Sequence, residues 1–170
     1  MAVDITSAMH GERPLFVSVL KGSVVFLADL IRAMEIEPDV DFISISSYQS
    51  TAERTGVVRI VKDLEEPLEG RHVVVVEDII DTGLTLHYLL GALETRGPKS
   101  MRVCALVDKP VRRIAERQLD FVGFETTEFL IGYGLDFKGR YRNLPYLAAV
   151  SDVAALADAP DSLSYLFSEL

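Results

Sequence analysis

Two adjacent acids in the middle of the chain follow a run of four valines. The stretch from residue 73 to residue 85 reads VVVVEDIIDTGLT, and the two acids are Glu77 and Asp78. Ionised carboxylates only accept hydrogen bonds, so a pair of neighbouring carboxylates suits the two hydroxyl donors of a ribose. These residues therefore indicate a site for a sugar diol.

The residues after these acids have the composition of a phosphate-binding loop. Asp81, Thr82 and Gly83 lead into a helical pattern that starts with Leu84 and Thr85. Glycine allows a tight turn, and the N–H groups at the start of a helix bind anions. The threonine hydroxyls add donors, whereas the Gly-Lys-Ser/Thr ending of a Walker loop is absent from this stretch. The segment therefore predicts a phosphate site of a different kind.

The same residues also have a purely structural interpretation. Asp81 alone could be a helix N-cap, and Gly83 alone could be an ordinary turn residue. Glu77 and Asp78 could mark the solvated end of a strand. The short distance along the chain between the paired acids and the loop favours the ligand site.

Short β-rich runs alternate with helical patterns along the chain. Predicted strands cover residues 15–20, 41–47, 57–62, 72–76, 102–107, 121–125 and 146–150, and predicted helices cover 24–33 and 84–95. This order predicts an α/β fold, with a parallel sheet covered by helices on both faces, in a single domain over residues 1–170. Ligands of such sheets bind beyond the carboxyl ends of the strands, which are here the loops after residues 20, 78 and 107.

Composition excludes several classes of protein. The net charge of −9 argues against generic nucleic-acid binding, and no apolar run reaches the length of a membrane helix. The three histidines are scattered without the spacing of zinc ligands. Cys104 is the one cysteine, which excludes an internal disulfide and favours a reducing compartment. A cytoplasmic location is expected.

The stretch VVVVEDIIDTGLTL resembles the 5-phosphoribosyl-1-pyrophosphate (PRPP) signature of type I phosphoribosyltransferases, and most closely that of their hypoxanthine-guanine branch. The resemblance implies that Glu77 and Asp78 bind the ribose hydroxyls. It makes Asp81 the candidate catalytic acid/base near nitrogen seven of a purine. The 5-phosphate is then bound by Thr82, Gly83, Leu84 and Thr85.

Two further loops gain a role from this resemblance. Lys21 and Gly22 follow the first predicted strand, where a lysine is commonly just solvated; the resemblance makes them the pyrophosphate loop. Ser47 and Tyr48 open a polar segment that reaches Gly56. A tyrosine there needs no function on composition alone, but the resemblance implies a mobile lid over the reaction centre.

The resemblance also implies a purine site. Lys109 could be an ordinary surface lysine and Phe129 a core residue. The family pattern instead places Lys109 on the six-oxo oxygen, Phe129 against the purine ring and the backbone of Leu130 at the exocyclic edge. Asp136 supports magnesium at this site, and Arg142 contacts pyrophosphate. Arg113 assists with phosphate groups.

The implied activity is that of a purine-salvage glycosyltransferase. It converts hypoxanthine or guanine and PRPP to IMP or GMP and pyrophosphate with Mg²⁺, which Glu77, Asp78 and Asp136 hold weakly, mostly through ligand and water. The implied assembly is a homodimer or homotetramer, without nucleic acid or membrane.

The resemblance also implies a small hood over the base, formed mainly by residues 125–147 and the N-terminal segment, with 151–170 as a C-terminal tail. Family members usually have a longer segment before the first strand, so either the sequence begins late or this part of the hood is trimmed. One alternative function is a non-catalytic PRPP- or nucleotide-sensing regulator on the same fold. Another is an adenine or pyrimidine enzyme, which Lys109 and the Phe129 segment disfavour.

Overall fold

The chain forms two compact units, Met1–Thr126 and Thr127–Leu170. The computed structural model describes residues 1–48, 57–115, 117–159, 161 and 163–167. The first unit contains, in chain order, α1 (Ala2–Ala8), β1 (Leu15–Leu20), α2 (Val24–Arg32), β2 (Asp39–Tyr48), β3 (Val57–Lys62), β4 (His72–Ile80), α3 (Leu84–Glu94), β5 (Ser100–Asp108), a short 3₁₀ helix (Pro110–Arg112) and β6 (Phe121–Glu125).

The strands of the first unit form one sheet in the order β3-β2-β1-β4-β5-β6. Neighbouring strands are parallel except for β2 and β3, which are antiparallel at one edge. The predicted α/β class with a parallel sheet is therefore confirmed, with one antiparallel edge pair. β4 lies inside the sheet between β1 and β5, so both of its edges are hydrogen bonded.

Helices cover both faces of this sheet, as the valine-rich β4 predicts. Val73 and Val75 pack with the leucines of α3 in one hydrophobic cluster. Residues that alternate with them point to the opposite face. On that face the hydroxyl groups of Ser18 in β1 and Ser23 at the start of α2 lie 2.6 Å apart.

The one cysteine is buried on the same opposite face. Cys104 Sγ lies 3.3 Å from the sulfur of Met1, the residue just before α1. Burial raises the pKa of the Cys104 thiol to about 12, against a small opposing effect of the N-terminal charge. The thiol is therefore protonated at neutral pH and serves as a small core side chain.

The central strand is longer than the sequence pattern predicted. β4 continues to Ile80, where the pattern predicted an end at residue 76. Pairing with β5 extends through Glu77, which is opposite Ala105, and through Ile80, which is opposite Asp108. The prediction was wrong because it treated the two acids as the end of the strand. Their strand position buries Glu77, so it is not a solvated strand end.

The second unit is a smaller structure with its own core. It contains β7 (Phe129–Ile131), β8 (Ala148–Val150), α4 (Val153–Asp158) and a second 3₁₀ helix (Ser164–Phe167). β7 and β8 are antiparallel, and the buried core residues are Ile131, Tyr141, Leu144 and Leu156. Across the described part of both units, no helix is long and apolar enough to span a membrane.

A buried carboxylate hydrogen bonds to the backbone of the segment that follows β3. Asp41 is almost fully buried, and its two oxygens accept the N–H groups of Phe42, Glu65 and Glu66 at 2.7 to 2.9 Å. Burial raises the pKa of Asp41, but these hydrogen bonds and the charge of Lys62 outweigh it, so that the pKa lies below its usual value. Asp41 therefore stabilises the folded chain in its ionised form.

We expect Asp41→Ala to lower the free energy of unfolding by about 1–3 kcal/mol at pH 7, because three N–H donors lose their acceptor. The stabilisation is fully present above the unfolded-state pKa near 4 and is lost as the pH falls through the lower folded-state pKa. Urea unfolding at pH 7 and at pH 3 measures both effects, with Asp29→Ala, a partly exposed acid on α2, as control. An equal difference from wild type at both pH values would contradict this role.

Candidate active site

The first unit contains a cleft of about 250 Å³ at the carboxyl ends of β1 and β4. This is the edge at which parallel α/β sheets bind ligands. The cleft is lined by Val19, Leu20, Ile45, Glu77, Ile79, Ile80, Asp81, Thr82, Gly83, Thr85 and Leu86. The structure thus brings the predicted sugar acid Glu77 and most of the predicted phosphate loop together in one cleft.

The two adjacent acids have different surroundings. Glu77 is only 6% exposed, and burial raises its pKa well above the usual range, with the charge of Asp78 raising it further. Asp78 is partly exposed, and its Oδ1 atom accepts the N–H of Ile79 at 2.8 Å. A cation or several hydroxyl donors beside this pair would favour the ionised form of both acids.

The predicted pyrophosphate loop touches the second of these acids. A Cβ atom built on Gly22 would lie 1.5 Å from Asp78 Oδ2, so a side chain at position 22 would displace that carboxylate. Lys21 is exposed, and the peptide bond between Leu20 and Lys21 is cis. The loop after β1 and the acids of β4 therefore form one contiguous surface.

The phosphate loop requires its glycine. Gly83 is the N-cap of α3 with φ of +78°, and a Cβ there would lie 2.6 Å from the carbonyl oxygen of Ala115. The carbonyl of Thr82 accepts the N–H groups of Ile114 and Ala115 at 2.8 and 3.1 Å. Residues 113–115 therefore pack against the phosphate loop and hydrogen bond to its backbone.

The side chains of the last two residues of the phosphate loop face solvent. Leu84 and Thr85, in the first turn of α3, are both exposed. The hydroxyl of Thr82 lies 3.5 Å from the N–H of Leu84. The first N–H groups of α3 and two threonine hydroxyls are thus arranged at the start of a helix, as anion binding requires.

Asp81, the candidate acid/base, is paired with an arginine that sequence analysis missed. Arg112 Nη1 lies 3.0 Å from Asp81 Oδ2. The other carboxylate oxygen, Oδ1, is buried and has no hydrogen-bond partner among the described residues. The adjacent Arg-Arg pair at positions 112–113 was the signal, but sequence alone does not show which arginine faces Asp81.

Lys109 is not an ordinary surface lysine, because it is only 4% exposed. Its N–H donates to the carbonyl of Ile80 at 2.9 Å, which joins it to the end of β4 directly before Asp81. Buried lysines are rare unless they have partners. The predicted contact between this lysine and the base stays a prediction.

The second arginine of the pair has a different partner. Arg113 forms an ion pair with Asp108, the last residue of β5, and both side chains are largely buried. The side chain of Arg113 also lies beneath Gly83, since a Cβ on that glycine would be 2.8 Å from Arg113 Cδ. The predicted contact between Arg113 and phosphate groups stays a prediction; the structure shows a supporting contact to the loop.

In the second unit, Asp136 and Arg142 form a pair. Arg142 Nη2 lies 2.5 Å from Asp136 Oδ1, and Arg142 Nη1 donates to the carbonyl of Gly134 at 2.6 Å. Asp136 Oδ2 accepts the N–H of Gly139, also at 2.6 Å. The predicted magnesium and pyrophosphate residues of this segment are therefore neighbours, and both side chains are partly exposed.

Phe129 is also in the second unit, at the start of β7. Its ring packs edge-on against Phe137, with centroids 5.9 Å apart, and Leu130 pairs with Ala149. Gly132 has a positive φ, and a Cβ there would lie 2.2 Å from the carbonyl of Tyr146. The glycine at this position therefore permits close backbone packing within the second unit.

The predicted lid falls mostly outside the described residues. The backbones of Ser47 and Tyr48 form the end of β2, paired with Val58 and Val57 of β3. Their side chains and residues 49–56 lie outside the described part of the chain. The lid role stays a prediction.

The arrangement suits a metal that keeps most of its ligands from substrate and water. No group of three or more metal-ligating His, Cys, Asp or Glu side chains occurs in the described ranges. Magnesium commonly uses one or two carboxylates and substrate phosphates, and the adjacent Glu77 and Asp78 carboxyls supply such a pair. These residues therefore fit Mg²⁺ bound together with a phosphorylated ligand.

Comparison with known proteins gives a consistent result. The family model for the phosphoribosyl transferase domain matches residues 1–138. A hypoxanthine-guanine phosphoribosyltransferase of Bacillus subtilis (strain 168) is 44% identical over 151 residues, which cover 88% of this chain and 84% of the relative. The enzyme of that name from Mycobacterium avium is 46% identical over 145 residues, covering 85% of this chain and 71% of the relative.

Solved structures agree with the sequence relatives. A hypoxanthine-guanine phosphoribosyltransferase from Bacillus anthracis has a TM-score of 0.83 at 46% identity and covers 88% of each chain. A hypoxanthine phosphoribosyltransferase from Staphylococcus aureus has a TM-score of 0.83 at 39% identity, covering 88% of this chain and 82% of the other. The chain therefore belongs to the phosphoribosyltransferase family, and its resemblance to the hypoxanthine-guanine branch is confirmed.

Proposed function

We propose that this enzyme transfers the 5-phosphoribosyl group of PRPP to hypoxanthine or guanine, with release of pyrophosphate, in purine salvage. One observation carries the proposal most directly. The cleft of the first unit joins the buried Glu77, the candidate acid/base Asp81 and the anion-binding start of α3 at the carboxyl edge of a parallel sheet. The relatives that are 44% and 46% identical to this chain are named for this reaction.

The residues assigned to PRPP supply both hydrogen-bond acceptors and hydrogen-bond donors. Glu77 and Asp78 accept hydrogen bonds from the ribose hydroxyls, and the backbone from Thr82 to Thr85 donates to the 5-phosphate. Lys21, which is exposed at the loop after β1, supplies a cation for pyrophosphate. The contact between Gly22 and Asp78 supports a shared position for the sugar and the pyrophosphate loop.

The reaction exchanges one bond at the anomeric carbon for another. The bond from this carbon to the pyrophosphate oxygen breaks, and a bond to purine nitrogen nine forms. Positive charge develops on the flattened sugar, and negative charge develops on the leaving pyrophosphate, where Lys21 stabilises it and the family resemblance gives Arg142 the same role. The purine must lose a proton, and Asp81 is the carboxylate that accepts it from nitrogen seven.

Selection of the base depends on few groups. The buried ammonium of Lys109 only donates hydrogen bonds, which suits the six-oxo oxygen and disfavours the amino group of adenine. Phe129 supplies a π face for stacking on the purine, and the backbone of Leu130 contacts the exocyclic edge. For this base half the family resemblance is the principal support.

Magnesium, when bound, supplies positive charge that neutralises the pyrophosphate as it leaves. Glu77 and Asp78 are the residues of the first unit that would hold it, and the resemblance gives Asp136 the same role. The resemblance also supports a homodimer or homotetramer, with the cytoplasm as the location.

The decisive test is a PRPP-dependent assay with Mg²⁺ and each base separately. We expect turnover with hypoxanthine, guanine or both, and none with adenine, orotate or uracil. Turnover with only the latter bases would contradict the base assignment. Binding of PRPP or nucleotide without turnover of any base would favour the non-catalytic regulator.

A further inference from the structure

The two oxygens of the Asp81 carboxylate have different surroundings. Oδ2 is paired with Arg112 Nη1 at 3.0 Å, whereas Oδ1 is buried and receives no hydrogen bond from any described residue. We propose that Arg112 is a positioning residue for Asp81: it holds Oδ2, so that Oδ1 is the atom presented to the purine nitrogen. This inference rests on the proposed function and adds to it a residue outside the predicted site.

The backbone that carries Arg112 is fixed on both sides of Asp81. The N–H of Lys109 donates to the carbonyl of the residue before Asp81 at 2.9 Å. The N–H of Ile114 donates to the carbonyl of the residue after Asp81 at 2.8 Å. The 3₁₀ helix that ends at Arg112 lies between these two anchors. The guanidinium is thus brought to this carboxylate by a fixed backbone.

The contact contributes little to folding. The side chains of Arg112 and Asp81 are 59% and 40% exposed, and ion pairs of this kind add little stability. A contact to one oxygen nevertheless restricts rotation of the carboxylate about its Cβ–Cγ bond. The orientation of a proton acceptor affects the rate of proton transfer, so we expect loss of Arg112 to lower kcat rather than stability.

The unpartnered oxygen points to a ligand donor. Buried carboxylate oxygens normally have hydrogen-bond partners, so Oδ1 of Asp81 is an exception that a ligand can satisfy. A purine N–H is a donor of the required kind. The pairing of Oδ2 with Arg112 holds the plane of the carboxylate, so that the other oxygen stays directed at that donor.

A double-mutant cycle tests this role. Arg112→Gln, Asp81→Asn and the double variant are compared with wild type for kcat and for the KM of PRPP, with hypoxanthine as acceptor. We expect Arg112→Gln to lower kcat about tenfold with an unchanged KM for PRPP. Arg112→Lys should restore part of the loss, because it keeps the charge. Arg32→Gln, which removes an exposed arginine paired with Asp29 on α2, is the matched control and should leave kcat unchanged.

The coupling decides the interpretation. If Arg112 acts through Asp81, Arg112→Gln has no further effect in the Asp81→Asn background. An equal loss in both backgrounds, or a raised KM for PRPP with an unchanged kcat, would overturn the proposal. Turnover by the wild-type chain tests the proposed function separately. If wild type turns over no purine, the same cycle is measured in equilibrium binding of hypoxanthine with Mg²⁺ and pyrophosphate, where absence of coupling also overturns it.

Discussion

Asp81→Asn is expected to lower kcat by about a hundredfold or more while the KM for PRPP changes little. The amide has nearly the same shape as the carboxylate, but it does not accept a proton at neutral pH. Asp81 lies at the start of the phosphate loop, and its Oδ1 atom is buried without a partner among the described residues. Steady-state kinetics with hypoxanthine as the varied and then the fixed substrate measures both quantities.

Asp78→Asn is the matched comparison, because it makes the same chemical change three residues earlier. It removes the negative charge of a carboxylate assigned to the ribose hydroxyls, and hydrogen bonds to charged groups contribute about 1.5–3 kcal/mol. We therefore expect the KM for PRPP to rise about tenfold or more, with a smaller change in kcat. Equal effects of the two substitutions on both quantities would show that the two acids do not have separate roles.

The order of elements could be predicted from the sequence because each carries its own local pattern. Alternating or continuous apolar residues in β1, β3 and β6 gave their bounds as the structure has them. β4 was predicted too short because two polar residues, Glu77 and Asp78, interrupt its apolar run before Ile79 and Ile80. These residues stay in the strand because they pair with β5, where Glu77 is opposite Ala105, about 28 residues later in the chain. A local sequence pattern contains no information on such a distant partner.

The candidate site also has a part that local sequence predicts and a part that depends on the tertiary fold. The predicted sugar acids and phosphate loop form one continuous stretch, so residue types and spacing were sufficient to predict that Glu77 and most of the loop lie in one cleft. The pairs of Arg112 with Asp81 and of Arg113 with Asp108 depend on how the 3₁₀ helix folds back on the loop. Sequence analysis named Arg113 but not Arg112, and it could not assign a partner to either arginine. The division after Thr126 has no compositional signal either, and the hood boundaries stay a prediction.

Gly22→Ala is expected to damage PRPP binding without unfolding the protein. An alanine Cβ would lie 1.5 Å from Asp78 Oδ2 and 2.6 Å from its Cγ, so the carboxylate must move. Both atoms are at the end of a side chain that is partly exposed and can rotate away. The fold should therefore lose less than about 1 kcal/mol, whereas the carboxylate assigned to ribose leaves its position. We expect the KM for PRPP to rise about tenfold or more.

Gly91→Ala makes the same addition where it should be harmless. Gly91 lies in the interior of α3, and a Cβ there would have no atom within 4 Å apart from its chain neighbours and the backbone of its own helix. We expect unchanged kinetics and a free energy of unfolding raised by about 0.5–1 kcal/mol, because alanine favours a helix more than glycine does. Urea unfolding and PRPP kinetics on both variants give the comparison.

The cause of the Gly22→Ala defect can be identified in the Asp78→Asn background. If alanine acts by displacing the side chain of residue 78, it should add little to a protein whose carboxylate is already gone. A full additional loss of PRPP affinity would instead mean that the loop after β1 contacts PRPP independently of Asp78. A wild-type KM for PRPP in the single Gly22→Ala variant would contradict the link between this loop and the sugar acids, because the contact at 1.5 Å leaves the carboxylate no way to stay in place.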